Sequence, residues 1–169
     1  MTPETVLSCY SDADWANDPF TRRSITGYAA IIGTFGPVSC QSKRQTTTAL
    51  SSTEAEYMAL STATQEVLWL RSLLRELDLA AATGDERFRQ LPPTIMHEDN
   101  QSCIKLASQP FNHGRSKHID VRHHFICDHV EAKTISIQYC PTESMIADVL
   151  TKPLPQPAFE KLRTAMCLQ

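Results

Sequence analysis

The chain has 169 residues, 41% of them hydrophobic and 21% charged, which suits one ordinary domain with a buried core and excludes a disordered segment. Nineteen acidic residues face sixteen basic ones, for a net charge of −3. That balance argues against a protein that holds nucleic acid by phosphate neutralisation alone. No apolar run approaches the roughly 18 residues of a membrane span. The start, Met1-Thr2-Pro3-Glu4, carries neither a basic nor an apolar leader. Six cysteines are scattered with no C-x-x-C pair, so they read as reduced, mostly buried thiols in a cytosolic or nuclear setting.

Residues 5–12 are β-prone and end in Asp12, and residues 13–26 are polar and turn-rich. Two short apolar runs, 28–32 and 38–41, surround Gly33 and Gly36 and predict a hairpin. Residues 53–78 have no Gly or Pro and a strong 3.6 period, so a long helix is expected there. A loop over 80–93 holds Gly84 and Pro92-Pro93. Residues 95–97 predict a short strand ending at Glu98-Asp99, and 100–107 a short helix stopped near Pro110. Helix is expected over 118–132, a strand over 135–140, a helix over 142–152 stopped by Pro153, and an amphipathic helix over 157–167. The division is a domain over 1–154 and a C-terminal helix over 155–169, packed on it or trailing. The order β-β-β-α-β-α-α-β-α-α implies an α/β domain: a mixed sheet covered by helices, with sites at the carboxyl ends of strands and at helix starts.

Asp12 ends the first predicted strand and Asp99 the fourth. If those strands are neighbours, two carboxylates lie side by side, repelling each other unless a hard cation such as Mg²⁺ joins them. The long helix offers Glu54 and Glu56. Glu56 is in phase with Leu60, Ala63, Val67, Leu70 and Leu74, the face that meets the sheet, whereas Glu54 is in phase with polar Ser61, Gln65 and Ser72. Thr53-x-x-Glu56 also fits a helix-capping box. Asp148 sits in an apolar stretch, Met145 to Leu150, where a carboxylate needs a partner or solvent. Together Asp12, Glu56, Asp99 and Asp148 form a set able to hold two Mg²⁺ ions.

Six segments carry a family resemblance: Tyr10-Ser11-Asp12-Ala13-Asp14-Trp15-Ala16, Arg22-Arg23-Ser24-Ile25-Thr26-Gly27-Tyr28, residues 49–60, Glu98-Asp99-Asn100-Gln101-Ser102, Lys117-His118-Ile119-Asp120-Val121-Arg122, and residues 147–154. In this order they resemble the ribonuclease H domain at the carboxyl end of Copia-type (Ty1/Copia) LTR-retrotransposon Pol polyproteins, across nearly the whole chain. The resemblance implies an RNase H-like fold with a five-stranded mixed sheet in order 3-2-1-4-5. It implies endonucleolytic hydrolysis of the RNA strand of RNA–DNA hybrids during reverse transcription, leaving 5′-phosphate and 3′-hydroxyl ends. Two Mg²⁺ ions, replaceable by Mn²⁺, are implied on Asp12, Glu56, Asp99 and Asp148. Asp12 would bridge them, Glu56 and Asp99 would serve the leaving-group side, and Asp148 the water side. A reverse transcriptase domain of the same polyprotein is the implied partner. The implied location is cytoplasmic, in a virus-like particle, or nuclear, with no membrane. The alternative is a catalytically silent hybrid-binding or connection module of a degenerate Pol fragment.

The RNA strand would be read through its 2′-hydroxyls. Candidates are Ser52 and Thr53 before Glu56, and Asn100 and Gln101 after Asp99, although Ser52, Thr53 and Asn100 also suit helix caps. Arg22, Arg23, Lys43, Arg44, Arg115 and Lys117 are candidate phosphate contacts. Many cellular ribonucleases H carry a histidine on the loop before the last acid. Here that loop is Pro141-Thr142-Glu143-Ser144, with Glu143 as a possible substitute. Five of the six histidines instead fall between 113 and 129, in a stretch (105–133) with five Lys or Arg against three acids. That stretch reads as an arm for the DNA strand. His123 and Cys127, four apart on one helix, raise zinc as a rival without a second ligand pair. Two Mg²⁺ would take the loaded domain from −3 to about +1, so hybrid binding should be weak without them.

Overall fold

The computed structural model describes residues 7–77, 84, 91–108 and 117–166, the first four of the last stretch by backbone alone. Five strands, β1 (Leu7–Asp14), β2 (Ile25–Ile32), β3 (Gly36–Arg44), β4 (Thr94–Glu98) and β5 (Ile135–Tyr139), form one sheet in the order β3-β2-β1-β4-β5. β1, β2 and β3 are an antiparallel meander, while β4 runs parallel to β1 and β5 parallel to β4. The connections dictate this. A loop over 15–24 joins β1 to β2 and a tight turn over 33–35 joins β2 to β3, whereas α1 (Ser52–Glu76) separates β3 from β4, and α2 (Gln101–Ala107) and α3 (Lys117–Glu131) separate β4 from β5. The sheet order matches the expectation, and β1 and β4 are neighbours.

The 3.6 period of α1 lays Tyr57, Leu60, Ala63, Val67, Leu70 and Leu74 against Leu7 and Cys9 of β1, Tyr28 and Ala30 of β2, and Met96 of β4. Cys103 and Ala107 of α2 and Ile126 of α3 close the same core. Arg71, buried in α1, donates to the carbonyls of Leu91 and Pro92 and to Thr94 Oγ1, which fixes the entry into β4. A second layer lies on the other side of the sheet: Ala29 and Ile31 pack with Ile146 and with Met166, just past α4 (Gln156–Ala165). Leu162 of α4 is also buried. No helix among the described residues is long and apolar enough to cross a membrane.

Several local expectations are corrected. β1 continues to Asp14, so Asp12 lies inside the strand, and Asp99 is the first residue beyond β4. The helix expected over 142–152 is two short 3₁₀ turns, Thr142–Ser144 and Ile146–Leu150. Met145 between them is extended and fully buried beside Cys140 and Ala147. Seating that side chain breaks helical continuity, and Pro153 bars a helix from running on past Lys152. The cap of α1 is Ser51, whose hydroxyl accepts from the Glu54 N–H, while the Glu54 carboxylate accepts from the Leu50 N–H at 2.8 Å. The capping pair is therefore Ser51 and Glu54, and Glu54 is buried in that role. Glu56 is not a capping residue. The 80–93 loop falls mostly outside the described residues, as do Pro110, Arg115, His113 and the side chains of Lys117 and His118.

Candidate functional site

The site forms where β1, β4 and α1 meet. β1 and β4 run parallel and side by side, with Tyr10 opposite His97, so Asp12 and Asp99 leave the sheet at the same end. The first turn of α1 crosses that end and points Glu56 inward. Carboxylate oxygens of Asp12, Glu56 and Asp99 lie within 4.8 Å of one another. Asp12 and Glu56 are buried, while Asp99 is half-buried. Glu56 Oε2 is buried with no hydrogen-bond partner. A buried carboxylate oxygen without a donor, beside two more carboxylates, is costly unless a cation fills the gap. Oxygen-only ligands of this kind suit a hard divalent ion such as Mg²⁺.

A fifth acid, which sequence reasoning missed, lies next to the cluster. Glu98 is fully buried at the end of β4, accepting from Ser11 Oγ and from the Asn100 N–H, both at 3.2 Å. The signal was available: in the β4 alternation, Glu98 shares its side of the sheet with Met96 and Thr94.

Burial and mutual repulsion push these carboxyls up. For Glu56 the causes are burial, then Glu98, Asp12 and Asp99, and a hydrogen bond from the Ala13 backbone opposes them only partly. Burial likewise raises Glu98 well above the ordinary carboxylate range, against the bonds from Asn100 and Ser11. Asp12 is raised by burial to about 6, although Thr151 and Lys152 pull it down.

Asp148 reaches the site differently. The turn Ile146–Leu150 docks on β2 and β1, and the Thr151 hydroxyl that follows it donates to Asp12 Oδ2. Lys152 Nζ is 2.9 Å from Asp148 Oδ1 and 3.9 Å from Asp12 Oδ2. Burial raises the Asp148 carboxyl and Lys152 opposes that; burial also pulls Lys152 down, but Asp12 and Asp148 more than compensate and hold it above its ordinary value. Asp148 therefore sits against a lysine, outside the triad of Asp12, Glu56 and Asp99. Thr142 Oγ1 donates to Asp99 Oδ2 at 2.7 Å. On the loop lacking a histidine, the contact to the site is thus made by Thr142, and Glu143 is exposed.

Gly27 makes this docking possible. It lies opposite Asp12 in the β1–β2 register. A Cβ there would fall 2.6 Å from Thr151 Cγ2 and 3.0 Å from both the Ala147 carbonyl oxygen and Leu150 Cβ. Gly27→Ala should destabilise the chain by about 1–3 kcal/mol, the usual cost of overpacking, and push Asp148 and Thr151 away from Asp12. A denaturant melt checks the first effect. The second should appear as weaker divalent-ion binding, and unchanged ion binding would show that the turn does not belong to the site.

The other candidates lie outside the Asp12–Glu56–Asp99 cluster. Ser52 is exposed and Thr53 half-buried at the start of α1, beside Glu56. Asn100 caps α2, its side chain accepting from the Cys103 N–H at 3.0 Å, and Gln101 is exposed next to it. Arg22 is exposed with φ +54° and Arg23 is half-buried, both in the β1–β2 connection. Arg44 is held by Asp18 at 2.7 Å, which braces that connection instead of leaving the guanidinium free. Lys117 opens α3. His123 Nε2 lies 3.1 Å from the Leu106 carbonyl, and Cys127 Sγ donates to the Ala107 carbonyl at 3.4 Å. The pair thus tethers α3 to the end of α2. Among the described residues, the only group of three or more potential metal ligands is Asp12, Glu56 and Asp99, so zinc finds no third ligand at His123.

No family model matches the chain. It is 37% identical over 91% of its length to the retrovirus-related Pol polyprotein from transposon RE1 of Arabidopsis thaliana. It is 38% identical over 93% to that from transposon TNT 1-94 of Nicotiana tabacum. The chain spans about a tenth of the length of these curated relatives, 10% and 11% respectively. Among solved structures, LC11-RNase H1 in complex with RNA/DNA hybrid superposes with a TM-score of 0.57 at 12% identity, covering 86% of this chain and 93% of that one. The chain is therefore a homologue of the retrovirus-related Pol polyproteins of Copia-type transposons, over a segment with the ribonuclease H fold.

Proposed function

We propose that the chain is a metal-dependent ribonuclease H that hydrolyses the RNA strand of RNA–DNA hybrids. The observation that carries this reading is the buried Asp12–Glu56–Asp99 triad with its orphaned Glu56 oxygen, on a ribonuclease H fold. Asp12, Glu56, Asp99 and Asp148 would hold two Mg²⁺ ions, with Mn²⁺ able to substitute. Bound there, they supply a water of lowered pKa and neutralise charge on the scissile phosphate and the departing 3′-oxygen. Thr151 fixes Asp12 and Thr142 fixes Asp99, so both carboxylates are oriented before substrate arrives.

Ser51 takes the capping role, so the hydroxyls of Ser52 and Thr53 are not needed for it and can meet RNA 2′-hydroxyls. Asn100 spends its side-chain oxygen on the α2 cap, which leaves its amide NH₂ for substrate, with Gln101 beside it. Arg22, Arg23 and Lys117 supply charge for phosphates. A reverse transcriptase segment of the same polyprotein is the expected partner, on the strength of the Pol relatives.

The test offers the chain labelled RNA–DNA hybrid, double-stranded RNA and double-stranded DNA with Mg²⁺ or Mn²⁺. Only the RNA strand of the hybrid should be cut, leaving 5′-phosphate ends. Equal cutting of the DNA duplex would contradict the assignment.

A further inference from the structure

Lys152 occupies a place that cations must compete for. Its ammonium contacts Asp148 and approaches Asp12, and its side chain is 32% exposed. The Lys152 N–H also donates to the Asp148 carbonyl at 3.2 Å, and Thr151 donates to Asp12. Asp148, Thr151 and Lys152 therefore form one turn folded over Asp12. Among the described residues, no basic side chain pairs with Glu56 or Asp99. The cluster is thus divided. One side has three carboxylates and an orphaned oxygen, and the other has a carboxylate already neutralised by the chain's own cation.

We propose that Lys152 is the resident counter-cation of the site, held on Asp148 until a second divalent ion displaces it. This rests on the metal-site reading above. The Lys152 ammonium, 2.9 Å from Asp148 Oδ1, fills the space a divalent ion needs for contact with that oxygen, so the two cannot hold it together. The first ion enters among Asp12, Glu56 and Asp99, which Lys152 approaches only at Asp12 and at the longer distance of 3.9 Å. The second needs Asp148, so it binds only as Lys152 swings away. A four-carbon stem carrying a compact ammonium at a half-open position can do this without unfolding the turn. Lys152 acts through Asp148 and is a positioning residue that separates the two ion affinities.

The test is a calorimetric Mn²⁺ titration of the whole chain without nucleic acid, comparing wild type with Lys152→Gln and Lys152→Met. Lys43→Gln, on exposed β3, reports the effect of net charge alone. Thermal melts confirm folding, and Lys152→Met keeps the apolar stem if Lys152→Gln is unstable. Both Lys152 variants should tighten the second ion about fivefold or more, as expected for loss of a competing ion pair. The first ion should shift less than the second in either variant, because Lys152 reaches its ligands only at Asp12, 3.9 Å away, against 2.9 Å at Asp148. Lys43→Gln should change neither. A second ion that is unmoved, weaker or absent in the Lys152 variants overturns the inference, as does equal tightening in Lys43→Gln. A wild-type chain that binds no divalent ion removes the metal-site reading and this inference with it, which is a different result from ions that bind with affinities indifferent to Lys152.

Discussion

Glu56→Gln should abolish cleavage of the hybrid and, at the same time, raise the melting temperature of the ion-free chain. The two effects have one origin. Glu56 brings a carboxylate into a buried cluster where one of its oxygens has no donor and Glu98, Asp12 and Asp99 repel its charge. Glutamine keeps the shape and removes the charge. Relief of an uncompensated buried group is worth about 1–3 kcal/mol, or roughly 2–10 °C in a chain of this size. The same change removes a ligand from the cation site. Loss of several kcal/mol of transition-state charge stabilisation lowers the rate by about 10³ or more. A melt and a cleavage assay on one preparation check both. A variant that is inactive and also less stable would mean that Glu56 is a structural residue of the core.

The second large effect is a reversal of pH dependence by Mg²⁺. Glu56, Glu98, Asp12 and Asp148 all stand above their unfolded values, chiefly through burial. A folded chain with raised carboxyls holds more protons than the unfolded chain, so its stability falls as pH rises. The loss begins above the ordinary carboxylate range, passes about 6 for Asp12, and continues higher for Glu56 and Glu98. Without divalent ions, the melting temperature should therefore drop between pH 5 and pH 8. Mg²⁺ binds the deprotonated carboxylates, so its stabilisation should be largest at pH 8 and nearly absent at pH 5. At a hundred times its dissociation constant an ion adds about 2.7 kcal/mol. Melts at the two pH values, with EDTA and with Mg²⁺, give the four numbers needed. A Mg²⁺ shift equal at both would place the ion on groups other than these carboxyls.

The pattern of strands and helices was legible in the sequence, because period-2 and period-3.6 patterning survives in elements that each bury one face, whereas the sheet order came only from the family resemblance. Helical phase also separated Glu56 from Glu54, and only Glu56 joins Asp12 and Asp99. Phase alone did not locate the cap. Thr53-x-x-Glu56 and Ser51-x-x-Glu54 fit the capping pattern equally well, and the choice depends on where the backbone leaves the helix. The segment 142–152 misled for a related reason. Its apolar residues suit a helix, yet Met145 is drawn into the space beside Cys140 and Ala147, a tertiary demand with no local signature. The partners that orient the carboxylates were illegible on the same grounds. Thr151 is 139 residues from Asp12 and Thr142 is 43 from Asp99, so only the fold reveals these contacts. Lys152 lies within the family-like segment 147–154, but only the turn folded over Asp12 gives its charge a place.

The central claim is that these carboxylates form a cation-dependent hydrolytic site, and cleavage of a labelled RNA–DNA hybrid tests it most directly. Wild-type chain with Mg²⁺ should shorten the RNA strand, and EDTA or Asp99→Asn should stop it, with Asp99→Asn still folded by circular dichroism. Cleavage that persists in EDTA or in folded Asp99→Asn would contradict the account, as would a folded wild-type chain that leaves the hybrid intact with Mg²⁺ even when the reverse transcriptase segment is supplied.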